Sequence, residues 1–458
     1  MAELRCEELP YPEDVAELFA PLAERPWSLW LDSGGGGLNH ARYDILLADP
    51  YATLTTRNGE TLLEHLDGGW CDDGDPFALL RGELAKYPSS ALPDIPFAGG
   101  AAGYFSYDLA RRIESLPSLA QDDLQMPMMQ IGLYDWALVV DHQQRRCRLV
   151  SWQHRPETAG LWDALCQGFS APRADSAAPL RVDGALCSNM DEAAYATGFA
   201  RIQRYLREGD CYQVNFAQRF AVSVAGDPFA SYRRLRAQSP APFGAYFNTP
   251  DGQLLCNSPE RFLRVTQGQV ETAPIKGTRP RMAEPQQDAQ QRQQLLHSAK
   301  DRAENVMIVD LLRNDLSKVC EPGSIRVPEL FRVESYATVH QLISRVQGQL
   351  RAGEDALSLL RHCFPGGSIT GAPKLRAMQI IESLEPHRRG IYCGSIACIG
   401  FDGHMDSNIV IRTALHQAGQ LYYSAGGGIV SDSECEAEYQ ETFHKAAAFF
   451  RMLELPTG

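Results

Sequence analysis

The sequence has no excess of positive charge: its 458 residues carry 43 Lys and Arg against 57 Asp and Glu, a formal net charge of −14 at pH 7. Without a basic cluster there is no electrostatic footprint for nucleic acid or for an anionic membrane, so neither is expected as a partner. Local Arg and Lys leave room for a small anionic ligand. No stretch approaches the roughly 18 consecutive apolar residues of a transmembrane helix. Residues 1–8 lack the basic-then-apolar pattern of a secretory leader, and a cytoplasmic location is expected. The 12 cysteines include no C-x-x-C pair and no histidine at zinc spacing, which is how reduced core thiols are distributed. Neither a disulfide nor a zinc site is expected. No repeat of 20–50 residues is present, which excludes a solenoid. The glycine-rich loop at 365–374 fails as a phosphate loop. Ala372-Pro373 separates its last glycine from Lys374, and proline lacks the N–H that would cradle a phosphate. The loop reads instead as a pliable cover over a ligand, or as a helix start.

What is present is a chain long enough for two domains or for one large layered α/β body. The small, polar, proline-containing stretch at 170–179 places a linker near 168–185, giving domains at 1–170 and 183–458. Before it, strand-like runs at 27–31, 43–47 and 51–55, a helix at 75–87 opened by Asp75-Pro76, and a hairpin from 131–136 to 147–150 read as mostly antiparallel sheet. After it come a helix at 190–208, a strand at 211–220, a hairpin about 266–268 and a long amphipathic helix at 291–316. Strands follow at 392–401, 405–414 and 420–425. Gly426-Gly427-Gly428 then releases the chain into a last helix, whose start is marked by a capping box of Ser433 and Glu436.

The chemistry is expected at Ala273-Pro274-Ile275-Lys276-Gly277-Thr278, where one primary amine stands between a rigid proline and a glycine that permits close backbone approach. A hairpin centred near Gln267-Gly268 pairs residues whose numbers sum to about 535, which sets Glu260 opposite Lys276 or one residue away, roughly 4.5–5.5 Å apart. A bulge at Ser258-Pro259 would shift that register by one. An ordinary surface Glu–Lys pair is the alternative reading of the same residues. Two helices carry carboxylates at i, i+3: Asp301 with Glu304, and Glu438 with Glu441, the latter sharing a face with Lys445. Facing one another they offer four hard oxygen donors, a set suited to Mg²⁺ rather than Zn²⁺. Left apart, they are solvated acidic faces.

Taken in order, Gly209-Asp210-Cys211-Tyr212-Gln213-Val214-Asn215, Ser258-Pro259-Glu260-Arg261-Phe262, Pro274-Ile275-Lys276-Gly277-Thr278, Lys300-Asp301-Arg302-Ala303-Glu304-Asn305, Asp310-Leu311-Leu312-Arg313-Asn314-Asp315, the 365–374 loop and Glu436-Ala437-Glu438-Tyr439-Gln440-Glu441-Thr442 resemble the chorismate-utilising enzymes. The motifs span about 209–445, and the N-terminal half is similar to that family's component I subunits. The resemblance implies an α+β fold of two large, mainly antiparallel sheets packed as a sandwich with helices outside. Within the family, Lys276 stands where anthranilate synthase component I has alanine, and Gln213 stands where isochorismate and salicylate synthases have a water-activating lysine. Amination of chorismate at C4 to 4-amino-4-deoxychorismate, on the way to p-aminobenzoate and folate, is therefore implied.

The resemblance further implies Lys276 as covalent nucleophile at C2 and Glu260 as general acid at the C4 hydroxyl. Mg²⁺ is implied on Glu304 and Glu441, with Asp301 and Glu438 in support. Thr278, His340, Tyr392, Arg412, Gly426, Gly427 and Lys445 are implied around the substrate. No G-x-C-x-G nucleophile elbow of a glutamine amidotransferase is present, so ammonia is expected from a separate glutaminase subunit. Ser33, Arg42, Tyr43, Asp44, Pro242 and Phe243 match segments that form a tryptophan pocket in this family. Anthranilate synthase component I and a non-catalytic tryptophan-binding regulatory subunit are the competing readings.

Overall fold

The computed structural model describes residues 4–35, 41–170, 177–336 and 339–456. The strands form two large sheets, one of 13 strands and one of 12 among the described residues, and central strands such as Gly100–Phe105 and Trp136–Asp141 are buried at every position. Their ladders are antiparallel. The first runs in the order Arg5–Leu9, Arg146–Ser151, Trp136–Asp141, Tyr43–Leu47, Ser28–Asp32, Phe243–Thr249, Gly252–Ser258, Thr413–Gln417, Gln420–Ile429 and Gln213–Ala225. The second runs Ile275–Pro280, Val339–Gln349, Gln269–Thr272, Arg261–Thr266, Met405–Asn408, Ser395–Gly400, Gly100–Phe105, Met129–Tyr134, Ala52–Arg57, Glu60–His65 and Gly68–Asp72.

The period of two along each strand explains the layering. Ala245, Phe247, Leu254 and Cys256 of the first sheet pack with Ala102, Tyr104, Ile396 and Cys398 of the second, forming the dry interior of the sandwich. The intervening Tyr246 and Leu255 face outward, against Phe229, Tyr232 and Phe449 from the helices Pro228–Gln238 and Cys435–Met452. On the outer face of the second sheet, Leu263, Val265 and Phe105 meet Leu316, Leu357 and Phe77. The result is the helix-covered sandwich of two antiparallel sheets that the sequence implied.

Residues 171–176 of the expected linker lie outside the described residues. Strands from both sides of it occur in each sheet, so the two expected domains share both sheets.

Several expected elements change at their ends, each for a local reason. The run at 131–136 is two strands, because the chain passes from the second sheet to the first at Asp135; the hairpin is Trp136–Asp141 with Arg146–Ser151. The single helix at 291–316 is two, Pro285–His297 and Ala299–Ser317, broken where the Ser298 hydroxyl caps the Asp301 N–H. Gly426 to Gly428 remain in strand Gln420–Ile429, paired with residues 215–217. The Ser433–Glu436 capping box does not form. The Ser433 hydroxyl instead accepts from Val430 N–H and donates to Glu438 Oε1 at 2.7 Å. No helix among the described residues is long and apolar enough to cross a membrane, and all twelve cysteines are free.

Candidate active site

The hairpin register holds where the strands are regular: Arg264 pairs with Glu271 and Val265 with Val270. It does not continue to Glu260 and Lys276. Strand Gly252–Ser258 belongs to the first sheet and Arg261–Thr266 to the second, so Pro259-Glu260 is the crossing point between them. Strand Ile275–Pro280 pairs instead with Val339–Gln349, and a register shift between Ile275 and Thr278 takes Lys276 and Gly277 out of the ladder. Such an irregularity re-aims a side chain. The amine and the carboxyl still lie near enough for each to feel the other's charge.

Glu260 is 6% exposed. Its backbone N–H is taken by the Ser258 hydroxyl, and its Oε1 accepts from Ser368 Oγ at 2.8 Å. Burial pushes its carboxyl up to about 7, against the opposing pull of Ser368, Lys276 and Lys445. Burial also pushes the Lys276 amine below its ordinary range, with Lys445 acting in the same direction and Glu304, Glu260 and Glu441 against it. Both shifts run toward the neutral forms of the two groups.

Two helices bring further charge. Gly277 has φ +83, and a Cβ there would lie 2.9 Å from the Asp301 side chain, so its absence lets helix Ala299–Ser317 approach the strand beside Lys276. That helix carries Glu304, whose carboxyl is raised by burial and by its neighbours Asp301 and Glu438 while Lys276 and Lys300 lower it. Across from it, helix Cys435–Met452 lays Glu438 and Glu441 over Gly427; a Cβ at Gly427 would sit 2.9 Å from Glu438 Oε2 and 3.6 Å from Glu441 Oε1. Lys445 donates to Glu441 Oε1 at 2.6 Å and to the Gly426 carbonyl at 2.7 Å. Glu304, Glu438 and Glu441 thus share one neighbourhood, though among the described residues no three acidic, His or Cys side chains are already drawn together as metal ligands. Asp301 is ion-paired with Arg279 at 2.9 Å.

Thr278 and Arg412 line a cavity of about 150 Å³ with Asn257, Pro259, Gln341 and Tyr423. His340 is engaged on both ring nitrogens, by Ser335 at 2.8 Å and Asp288 at 3.0 Å, and is not among that cavity's lining residues. Tyr392 is buried with the Arg389 guanidinium 5.6 Å from its ring. Ser33, Arg42, Tyr43, Pro242 and Phe243 line a larger cavity of about 400 Å³ between the sheets. Asp44 stands behind it, accepting from the Ser33 hydroxyl at 2.6 Å.

Sequence reasoning missed Ser368, which touches Glu260, and Lys300, which faces all three glutamates. Lys300 opens a motif already marked, where no role was given to it. Ser368 lay in the loop read as a pliable cover over a ligand or a helix start, where no single residue was given a role. That loop is buried rather than pliable, with Gly367 against Leu311 and the Ile369 carbonyl held by Arg389 at 3.0 Å.

The family described as chorismate binding enzymes matches residues 28–451. The chain belongs to that family. Among chorismate binding enzymes, an aminodeoxychorismate synthase component 1 of Klebsiella aerogenes is 49% identical over 449 residues, covering 97% of this chain and 98% of its own. An anthranilate synthase component 1 of Acetivibrio thermocellus is 34% identical over 464 residues, covering 96% of this chain and 93% of its own. In structure, anthranilate synthase component I from Streptococcus pneumoniae superposes with a TM-score of 0.80 at 31% identity, covering 90% of this chain and 92% of that one.

The Glu260 carboxyl keeps its proton to about pH 7 in the fold but ionises near 4.5 when solvated. Between those values the folded state binds the extra proton, so stability falls as pH rises through them. Glu260→Gln, which carries no charge, is therefore expected to raise the thermal midpoint above wild type at pH 8, the gain shrinking steadily toward pH 5. An unchanged or lower midpoint at pH 8 would show that the carboxylate is not desolvated as described.

Proposed function

We propose that this chain aminates chorismate at C4 to give 4-amino-4-deoxychorismate, with Lys276 as nucleophile and Glu260 as general acid. The observation that carries the reading is a half-buried lysine whose amine is withdrawn from water near a buried carboxyl, each shifted toward its neutral form, in a chain 49% identical to an aminodeoxychorismate synthase component 1. A solvated lysine with a pKa near 10.4 is neutral in about one molecule in a few thousand at pH 7. Desolvation of Lys276 reduces that handicap.

The neutral Lys276 Nζ attacks C2, the ring double bonds shift, and the C4–O bond breaks as Glu260 gives its proton to the departing hydroxyl, which leaves as water. Ammonia then attacks C4, the double bonds shift back, and the C2–N bond breaks to return the lysine amine. The proton lost by the new ammonium group goes to the Glu260 carboxylate. Substrate and ammonia give product and water, and the enzyme is restored. Arg412 and Thr278 in their cavity, with Lys445 and the backbone at Gly426 and Gly427, are suited to holding the anionic substrate. His340, held between Ser335 and Asp288, and the buried Tyr392 serve in this reading as supports for the site walls.

Glu304, Glu438 and Glu441 fit a hard cation, because they are all oxygen donors whose mutual repulsion a cation would relieve. They would hold Mg²⁺; Asp301, committed to Arg279, falls outside the set. When bound, the ion supplies positive charge for a substrate carboxylate. The name component 1 in the relatives and the absence of a glutaminase elbow support a glutamine amidotransferase partner as the ammonia source. The cavity of about 400 Å³ has apolar walls at Leu31, Ile45 and Phe243 and charged groups at Asp32 and Arg42, a pattern suited to L-tryptophan.

Incubation with chorismate, Mg²⁺ and ammonium is expected to yield 4-amino-4-deoxychorismate, identified by mass, and Lys276→Ala is expected to lose at least about 100-fold in rate, the lower range for a group acting directly in catalysis. Fluorescent anthranilate with pyruvate, or an unaffected Lys276→Ala, would overturn the assignment. L-Tryptophan is expected to raise the thermal midpoint with increasing concentration, as linkage to a folded-state site requires; no shift at millimolar ligand would remove it.

A further inference from the structure

Glu260 has one side-chain hydrogen-bond donor within reach that the mechanism above does not use. The Ser368 hydroxyl lies 2.8 Å from Glu260 Oε1, and both residues are buried. Ser368 belongs to a segment fixed on every side. Thr370 Oγ1 donates to the Gly366 carbonyl at 3.0 Å, and the Thr370 carbonyl accepts from Asn215 N–H at 2.8 Å. Arg389 donates to the carbonyls of Ile369 and Asn215 at 3.0 and 2.9 Å, and is itself held by Glu385 at 2.6 Å. At the far end Lys374 bonds Asp315 at 2.6 Å and the Cys363 carbonyl at 2.7 Å. A buried ion pair with its remaining donors satisfied makes a rigid strut. The hydroxyl it presents is therefore positioned, not adventitious.

We infer that Ser368 is a positioning residue for the general acid: by donating to Oε1 it holds the carboxyl plane fixed and leaves Oε2 as the oxygen that carries the transferable proton. The inference rests on the reading of Glu260 as the acid. A carboxyl protonated on one oxygen and bonded at the other cannot rotate its proton away from the leaving group, which is the alignment general acid catalysis demands. The other groups facing Glu260 are the Ile275 N–H, Lys276 from the edge strand, Lys445 from the last helix and the Cys393 thiol, which burial pushes up to about 12 and so keeps neutral. Of these side chains Ser368 is the one hydrogen-bonded to the carboxyl, and it also favours the carboxylate once the proton has left.

The test compares wild type, Ser368→Ala, Ser368→Thr and Glu260→Gln by kcat and KM for chorismate across pH, with free ammonia held constant through the series. Glu260 acts while protonated, so kcat falls as pH rises through its pKa. Loss of a donor that favours the carboxylate moves that fall to higher pH. Ser368→Ala is expected to lower kcat about 10- to 100-fold, the range for one hydrogen bond to a charged group, to shift the alkaline limb upward, and to leave KM within about twofold. Ser368→Thr is expected to restore both features. Ser368→Cys, nearly isosteric with a much weaker donor, replaces the alanine variant should that fail to fold. If Glu260→Gln is inactive while Ser368→Ala and Ser368→Cys keep the wild-type kcat and profile, the positioning role is overturned; a change in KM alone also overturns it. If Glu260→Gln itself keeps the wild-type rate and profile, the acid assignment fails first.

Discussion

The site depends on burying a lysine and a glutamate beside each other without letting them form an ordinary surface ion pair. In water the proton would rest on the amine, and neither group could act. Where Lys276 and Glu260 stand, burial penalises both charges, and the balance moves toward neutral amine and neutral acid. The neighbouring cations divide between the two effects: Lys445 lowers the amine further while partly stabilising the carboxylate.

The fold supplies this burial by bringing the sheets together at the crossing point. Glu260 sits where the chain leaves one sheet for the other, and Lys276 sits at a break in the ladder of the second. Two glycines then allow close approach. Gly277 admits the helix that carries Glu304, and Gly427 admits the helix that carries Glu438 and Glu441. Acidic groups are thereby concentrated beside Lys276, and with the dianionic substrate proposed above this combination would call for an intervening cation. The strut of Arg389 and Glu385 completes the enclosure, tying strand Gln213–Ala225 to the loop that bears Ser368.

Much of this was legible in the sequence where local chemistry decides it. Strand-like runs bounded by turn signals marked many of the strands, Asp75-Pro76 marked its helix, and the residue-sum rule gave the true register at Arg264 and Glu271. It was less legible where tertiary contacts override local signals. Ser433 looks like a cap but spends its hydroxyl on Glu438, and Gly426 to Gly428 look like a release but continue a strand because the neighbouring strand pairs with them. Asp301 shares a helix face with Glu304 in a linear reading, yet Arg279 on the adjoining strand takes it. Ser368 lay in a marked loop, but nothing local singled out its hydroxyl. Its contact with Glu260 spans 108 residues and exists because the loop is buried.

The account stands on the amine of Lys276 being neutral in the folded protein near pH 7. A pH titration of the ¹⁵N-labelled lysine side chains by NMR, with Lys276 assigned from the signal missing in Lys276→Arg, reads that directly. The account predicts a Lys276 signal that titrates well below the ordinary lysine range, while solvent-exposed lysines titrate near 10.4. A Lys276 that stays charged into that range would contradict it.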